Sequence, residues 1–458
     1  MTIRILCFLL AATFVTAQTN PNHQLARDIF KELIEINTTD TPAGNVTAAA
    51  EAMARRLRDA GFPEQDVKVL GPTPNKGNLV ARIHGRGQGK PILFLAHLDV
   101  VQALPQDWSM DPFKLNEADG FFYGRGTSDI KDGDAELVAN FIRLKKENWV
   151  PSRDLILALT ADEEGGEHNG VQWLLQNDRD LIDAEYCINT DAGDFGIKNG
   201  KRLFLGVQTS EKNYVDFRLE VHNKGGHSSR PIKENAIYRL AAGLIRLGNF
   251  DFLVMMDDTT RGYFQKSAAL ETHDNAAAFR AIVKNPQDQQ PAAQIVKSPY
   301  LNALLRTTCV ATRLEGGHAN NALPQTAAAN VNCRMFPEDS LQNVQSTLKR
   351  VLADDQISIS VVGDAVPAPA SPLDPQVVRK VEEVGAKLYG NLPVIPVMDT
   401  GATDGKYLRI GHIPTYGVPG VFVDVDDNRA HGKDERIGVK DFYDGIDFFY
   451  DFIKSLAQ

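Results

Sequence analysis

Two different periods of apolar residues divide the chain. From about residue 22 to 206, helical and strand-like runs alternate. "LARDIFKELIEI" sets Leu25, Ile29, Leu33 and Ile34 on one face, the spacing of an amphipathic helix. "AAAEAMARRLRDAG" reads as a second helix that stops at Gly61. "NLVARIHG", "PILFLAHLDVV", "DLILALT" and "AEYCINT" read as strands, and the helix "DAELVANFIRLKKEN" falls between two of them. This alternation predicts an α/β unit with a mostly parallel central sheet.

Near residue 207 the texture changes. "NYVDFRLEVHN" puts Val215, Phe217, Leu219 and Val221 on one face and polar residues on the other, which predicts a half-exposed strand. A helix ("NAIYRLAAGLIRLG"), two strands ("TTCVATRLE", "TAAANVNCRMF"), a helix ("SLQNVQSTLKRVLAD") and a strand ("QISISVV") follow. The order β-α-β-β-α-β predicts a smaller α+β unit over 207–363, two helices on a four-stranded sheet. The polar stretch 250–300 fits neither pattern and reads as an insertion on this smaller unit. "GDAVPAPASPLDP" reads as a linker. The α/β texture then returns over 364–458 and ends in the amphipathic "GVKDFYDGIDFFYDFIKSL". The smaller unit therefore interrupts a larger one, whose two parts are 18–206 and 364–458.

Composition narrows the class of protein. At 458 residues, 43% hydrophobic and 24% charged, the chain has globular proportions and a length that divides into domains. Residues 1–17, "MTIRILCFLLAATFVTA", have the layout of a secretory signal peptide cut after Ala17, so a secreted or periplasmic location is expected. An uncleaved N-terminal anchor is the alternative. Formal net charge is −10, and losing Arg4 with that segment makes the remainder more negative still. Such a charge argues against nucleic acid and anionic lipid as partners. Cys187, Cys309 and Cys333 remain beyond the segment holding Cys7, too few for a disulfide scaffold; a single Cys309–Cys333 bridge between two strands is possible.

Acidic and His-bearing stretches stand at the ends of the predicted strands, where open α/β sheets place their sites. They are "AHLDV" (His97, Asp99), "GRGTSDIKDG" (Asp129), "TADEEGG" (Asp162, Glu163, Glu164) and "INTDAGD" (Asp191, Asp194), and "RAHGKDE" (His431) joins them from the C-terminal part. Imidazoles and carboxylates without thiolates suit zinc or a neighbouring divalent ion in a hydrolytic site. Burying so many carboxylates without a cation would cost several kcal/mol apiece.

In this order, "HLDVV", "DWSMDPFKLNEADGFFYGRGTSDIKDG", "ADEEGG", "GGHSSRP", "NNALP" and "AHGKDE" resemble the dinuclear zinc hydrolases that include glutamate carboxypeptidase, aminoacylase, acetylornithine deacetylase, succinyl-diaminopimelate desuccinylase and carnosinase-like dipeptidases. The resemblance covers nearly all of the chain after residue 17. It implies a zinc-exopeptidase-like catalytic domain with a lid or dimerisation domain inserted, and two Zn2+ per subunit, with Co2+ or Mn2+ as substitutes. One metal is implied at His97 and Asp191, the other at Glu164 and His431, with Asp129 bridging; Asp194 competes with Asp191. Glu163 is implied as general base, and Asp99 as the carboxylate holding the far nitrogen of His97. His227 is implied to support the oxyanion, often from the partner subunit of a homodimer, which the strand at Asn213 to His222 is expected to build by edge pairing or by face packing of the smaller units. Asn321 and Arg334 match positions that bind the substrate's carboxylate. The chain departs from the family after Asp129, where Ile130, Lys131 and Asp132 precede Gly133; the peptide after this Asp is often cis in relatives.

The activity so implied is hydrolysis of the amide bond of dipeptides or short peptides with a free carboxylate. An N-acyl-amino-acid amidohydrolase is the alternative within the same chemistry. The rival from another class is a silent peptide-binding protein, which retention of every ligand and the base argues against.

Overall fold

The computed structural model describes residues 20–363 and 365–458; the expected signal segment at 1–17 lies outside the described residues. The strand Ile92–His97 shows how the apolar pattern produces layers. Ile92, Phe94 and Ala96 join one apolar cluster and Leu93 and Leu95 another. Side chains alternate along a strand, so an unbroken apolar run requires cover on both faces. Leu155–Thr160 divides in the same way, with Leu155, Leu157 and Leu159 on one side and Ile156 and Ala158 on the other.

Helices Pro21–Glu35, Val46–Asp59, Lys131–Lys146, Pro375–Tyr389 and Val439–Leu456 cover the first face. Gly170–Asn177 and Gly405–Ile410 cover the second. The C-terminal helix buries Phe442, Phe448, Phe449 and Phe452, each contributing roughly 1.5–3 kcal/mol of apolar burial.

The large sheet runs Val67–Leu70, Asn78–Ile83, Leu155–Thr160, Ile92–His97, Tyr186–Asn189, Thr415–Gly417, Lys201–Glu211, Asp194–Lys198, Phe422–Asp424, with Val394–Asp399 parallel to Lys201–Glu211. Its centre, from Leu155–Thr160 to Thr415–Gly417, is parallel. The expected α/β fold with a mostly parallel central sheet is what the chain adopts. Lys201–Glu211 stays in this sheet to its last residue, opposite Asp399, so the chain leaves the larger unit later than residue 206.

The smaller sheet has the order Thr308–Gly316, Thr326–Met335, Asn213–His222, Ile357–Val362, all antiparallel, covered by Ala236–Gly248 and Leu341–Leu352. Cys309 and Cys333 lie directly opposite in adjacent strands and form a disulfide. Asn213–His222 is paired along both sides, which corrects its expected use as a free dimer edge; Thr308–Gly316 and Ile357–Val362 are the edges.

The 250–300 stretch also differs from expectation. It supplies the helices Asp258–Ser267, His273–Lys284 and Gln289–Ile295, and Pro299–Leu305 continues them. They have a core of their own around Phe264, Phe279 and Ile282, which takes in Phe336 from the smaller unit and Met398 from the larger sheet. The Lys266 ammonium donates to the Val394 carbonyl at 2.7 Å, and the Thr209 and Thr259 hydroxyls lie 2.6 Å apart. The insertion is therefore fastened to the catalytic sheet as well. The expected linker is tied down too: Asn213 bonds Ala368 through both its amide oxygen and nitrogen, and the Ser371 hydroxyl donates to the Thr415 carbonyl.

Candidate metal centre

His97 closes its strand and stands in register with Thr160, so the turn "ADEEGG" leaves the neighbouring parallel strand at the same level. Asp191 follows Tyr186–Asn189 on the other side of His97's strand. Asp129 lies just before the Lys131–Lys146 helix, and its peptide bond to Ile130 is cis. His431 comes from the loop after Phe422–Asp424. All of these surround the carboxyl ends of parallel strands, the usual place for a site in such a sheet.

Asp129 offers one oxygen to each half of the cluster. Its Oδ1 is 3.4 Å from His97 Nε2 and its Oδ2 is 3.0 Å from His431 Nε2. Asp191 Oδ1 lies 3.6 Å from His97 Nε2, and Glu164 Oε1 lies 2.8 Å from His431 Nε2. Glu163 Oε2 is 4.0 Å from His97 Nε2. Ligand atoms of His97, Asp129 and Glu164 come within 4.8 Å of one another, as do those of His97, Glu163 and Asp191. Asp194 begins a strand instead and belongs to neither group, which favours Asp191.

The electrostatics fit a cation. His97 Nε2 is buried without a hydrogen-bond partner, while its Nδ1 faces the Asp99 carbonyl at 3.0 Å. A ring nitrogen held and aimed in this way suits ligation. Burial, and then the charge of Asp191, push Glu163 well above the usual carboxylate range. Burial likewise raises Asp191 to about 7. Burial would also raise Asp129, but the hydrogen bond from His431 and the nearby charges of His97 and His431 outweigh it and hold that carboxyl low. Hydrogen bonds to Asp129 and Glu164 raise His431 to about 10. Carboxylates crowded in this way need positive charge beside them, which a bound dication would supply.

The role expected of Asp99 is corrected. Its carboxylate is 3.7 Å from His97 Nδ1 and accepts instead from the backbone N–H groups of Glu163, at 3.1 Å, and Glu164, at 2.9 Å. It holds the turn that carries the base, and its own backbone carbonyl orients the histidine.

Three residues not singled out from the sequence also shape the centre. Lys76 pairs with buried Asp162, so only Glu163 and Glu164 of the acidic triplet face the metal cluster. Arg125 pairs with Glu435, both fully enclosed, and donates to the carbonyls of His431 and Gly432 at 3.1 Å each. Glu435 accepts from the Ser128 backbone N–H at 2.9 Å. This pair ties the Asp129 loop to the His431 loop. Trp108 of "DWSMDPF" lies 5.1 Å from the Arg125 guanidinium. The sequence signal was available, since Arg125 and Glu435 belong to two of the quoted motifs.

The substrate-side candidates lie in the smaller unit. His227 and Asn321 are brought together: Gly226–His227 pairs with Ala322–Leu323, and the Ser228 N–H donates to the Asn321 carbonyl at 3.0 Å. The His227 ring meets Ser229, with Nδ1 2.8 Å from the hydroxyl, and is exposed. Arg334 lies 4.7 Å over the ring of its cross-strand neighbour Tyr214. Among the described residues, no hydrogen bond or ion pair joins these three residues to the metal cluster.

Residues 93–455 match the model of peptidase family M20/M25/M40. The chain is 28% identical over 379 residues to the N-fatty-acyl-amino acid synthase/hydrolase PM20D1 of Mus musculus, covering 80% of this chain and 74% of that protein. It is 29% identical over 388 residues to a probable carboxypeptidase S-like 2 of Dictyostelium discoideum, covering 81% and 72%. Among solved structures, human carnosine dipeptidase 1 superposes with a TM-score of 0.68 at 16% identity, over 96% of this chain and 97% of that one. The M20 family metallo-carboxypeptidase Sso-CP2 of Sulfolobus solfataricus gives 0.66 at 19% identity, over 94% and 98%. The family match spans most of the chain and includes every residue of the cluster around Asp129, and on that ground this protein belongs to peptidase family M20/M25/M40.

Proposed function

We propose that the protein is a two-metal hydrolase, with Zn2+ as the native ion and Co2+ or Mn2+ as substitutes, that cleaves the amide bond of dipeptides or short peptides with a free carboxylate. The observation that carries this reading is Asp129 lying between His97 and His431, with Glu163 beside the pair. His97 and Asp191 would hold one ion and Glu164 and His431 the other, with Asp129 shared. When bound, such a pair supplies Lewis acidity toward the amide carbonyl and acidifies water. Glu163 takes the proton of the attacking water and delivers it to the leaving nitrogen, a task suited to a carboxyl raised by burial. A library of dipeptides and N-acyl amino acids, assayed with each metal in turn, tests the reading. Hydrolysis of neither class with any of the three metals would sink it.

N-acyl-amino-acid hydrolysis is the second reading, favoured by the printed activity of the PM20D1 relatives. In both readings Arg334 and Asn321 hold the substrate's carboxylate. Amidating that carboxylate is expected to cost a few kcal/mol of transition-state binding, or at least tenfold in kcat/KM. Equal cleavage of acid and amide would remove the assignment.

His227 reaches the site of a partner subunit in a homodimer. The edge strand exposes Val310 and Leu314, and the adjoining helix exposes Tyr238 and Ile245, an apolar face of the kind a second copy covers. Mixing His227→Ala and Glu163→Ala chains should restore roughly a quarter of wild-type activity, because about half of the dimers are mixed and each has one complete site. No recovery despite proven subunit exchange would place His227 in its own chain's site or outside catalysis. A secreted or periplasmic location is part of the same proposal, supported by the N-terminal segment and by a disulfide suited to an oxidising compartment.

A further inference from the structure

The turn that carries Glu163 runs over 161–169, between the strand Leu155–Thr160 and the helix Gly170–Asn177. Asp162, directly before Glu163, takes a left-handed backbone with φ of 57°, a conformation that its surroundings must hold. Asp404, which follows the strand Val394–Asp399, closes this turn from outside it. Its Oδ2 accepts from the Thr160 hydroxyl at 2.7 Å and its Oδ1 from the Asn169 side-chain amide at 2.5 Å, so one carboxylate joins the two ends of the turn. Asn169 Nδ2 also donates to the Asp162 carbonyl at 3.2 Å, and its Oδ1 accepts from the Gln172 N–H to cap the helix. Asp404 is only 2% exposed. Its own place is set through Thr403, whose hydroxyl donates to the Glu211 carboxylate at 3.0 Å and accepts from the Gly405 N–H at 3.1 Å. Glu211 is fixed in turn by Arg409 at 2.7 Å, with both side chains enclosed.

We infer that Asp404 is a positioning residue for the general base: by clamping Thr160 to Asn169 it fixes the backbone from which Glu163 reaches the attacking water, an assignment that rests on the hydrolase reading of the metal centre. Two carboxylates then hold the turn at different points. Asp99 binds the N–H groups of Glu163 and Glu164 themselves, whereas Asp404 holds the frame around them. The clamp matters more to one glutamate than to the other. Glu164 is tied to His431 at 2.8 Å and is assigned to an ion as well. Among the described residues the Glu163 carboxylate meets only His97, at 4.0 Å, so its place is set by the backbone that carries it. A misplacement of about 1 Å in a reacting group costs on the order of 100-fold in rate. Alanine at 404 would lose both bonds of the clamp. Asparagine would keep both, because the Thr160 hydroxyl also lies 3.2 Å from the Ala96 carbonyl and can turn its proton there while accepting from the new amide.

The test uses the metal-loaded full chain with a dipeptide or N-acyl amino acid that it cleaves. Asp404→Ala is expected to lower kcat about 10–100-fold with KM and metal content unchanged, and Asp404→Asn should recover most of that loss. Asn169 is half-buried, so Asn169→Ala should fold, and it should reproduce the loss. The double variant Asp404→Ala with Asn169→Ala should be no slower than the slower single one, because both remove one clamp. Hydrogen exchange gives a readout independent of turnover: the Glu163 and Glu164 N–H groups should exchange faster in Asp404→Ala, and those of Ile92–His97 should not. Wild-type kcat in Asp404→Ala, a loss that Asp404→Asn leaves in place, or exchange that quickens throughout the larger sheet overturns the assignment. So does loss of metal from Asp404→Ala, which would shift the effect to the ligand Glu164. Each of these outcomes leaves the hydrolase reading standing. A wild-type chain that cleaves neither class of substrate removes that reading and the assignment with it.

Discussion

Replacing Glu163 with glutamine is expected to lower turnover by about 10²–10⁴-fold while the chain keeps its full metal complement. Proton transfer is lost, but none of the groups assigned as ligands is touched. Glu164→Gln should behave differently, because Glu164 stands 2.8 Å from His431 and is placed as a ligand. Metal analysis of the two purified variants, next to steady-state kinetics, separates the roles. Equal metal loss in both would mean that the adjacent carboxylates have been assigned the wrong way round.

Arg125→Met is expected to destabilise the folded chain by about 3–5 kcal/mol, because it leaves Glu435 enclosed without its partner. Metal affinity should fall as well, by roughly 10–100-fold, since Arg125 and Glu435 together set the distance between the Asp129 and His431 loops. Urea unfolding measures the first effect and calorimetric metal titration the second. The double replacement Arg125→Met with Glu435→Leu removes both charges and should recover much of the stability. It should not recover the metal affinity, because the side-chain bonds from Arg125 to the His431 and Gly432 carbonyls and from Ser128 to Glu435 are then gone. A double variant that binds metal like the wild type would show that the pair is dispensable for the centre.

Much of the larger unit was legible in the sequence because its strands are short apolar runs whose ends carry the acidic and histidine motifs. His97, Glu163, Glu164 and Asp191 could be found there because strand ends in an open parallel sheet converge. What was not legible depended on partners far along the chain or on local geometry. Arg125 and Glu435 each stand in a legible motif, but they meet across a separation of 310 residues, and no period or spacing announces that pairing. Asp99 turned from the His97 ring to two backbone N–H groups, a choice made by the shape of one turn. Asn213–His222 alternates whether it lies at an edge or in the middle of its sheet, since alternation reports only that one face is covered. The insertion's helices are short and polar outside, and their attachment to Val394–Asp399 is fixed by tertiary packing.

The short strand Thr415–Gly417 lies between Tyr186–Asn189 and Lys201–Glu211, at the middle of the larger sheet. A chain emerging from the ribosome therefore carries both flanking strands long before the one that joins them exists. Until residues 415–417 arrive, each half-sheet holds an open edge, and open edges recruit other chains. His431 follows the end of that strand by 14 residues, so closing the sheet and completing the metal cluster fall close together in synthesis. Premature termination before residue 415 should thus yield an aggregating fragment rather than a weakened enzyme, and partly made protein never exposes a working hydrolytic centre to its surroundings.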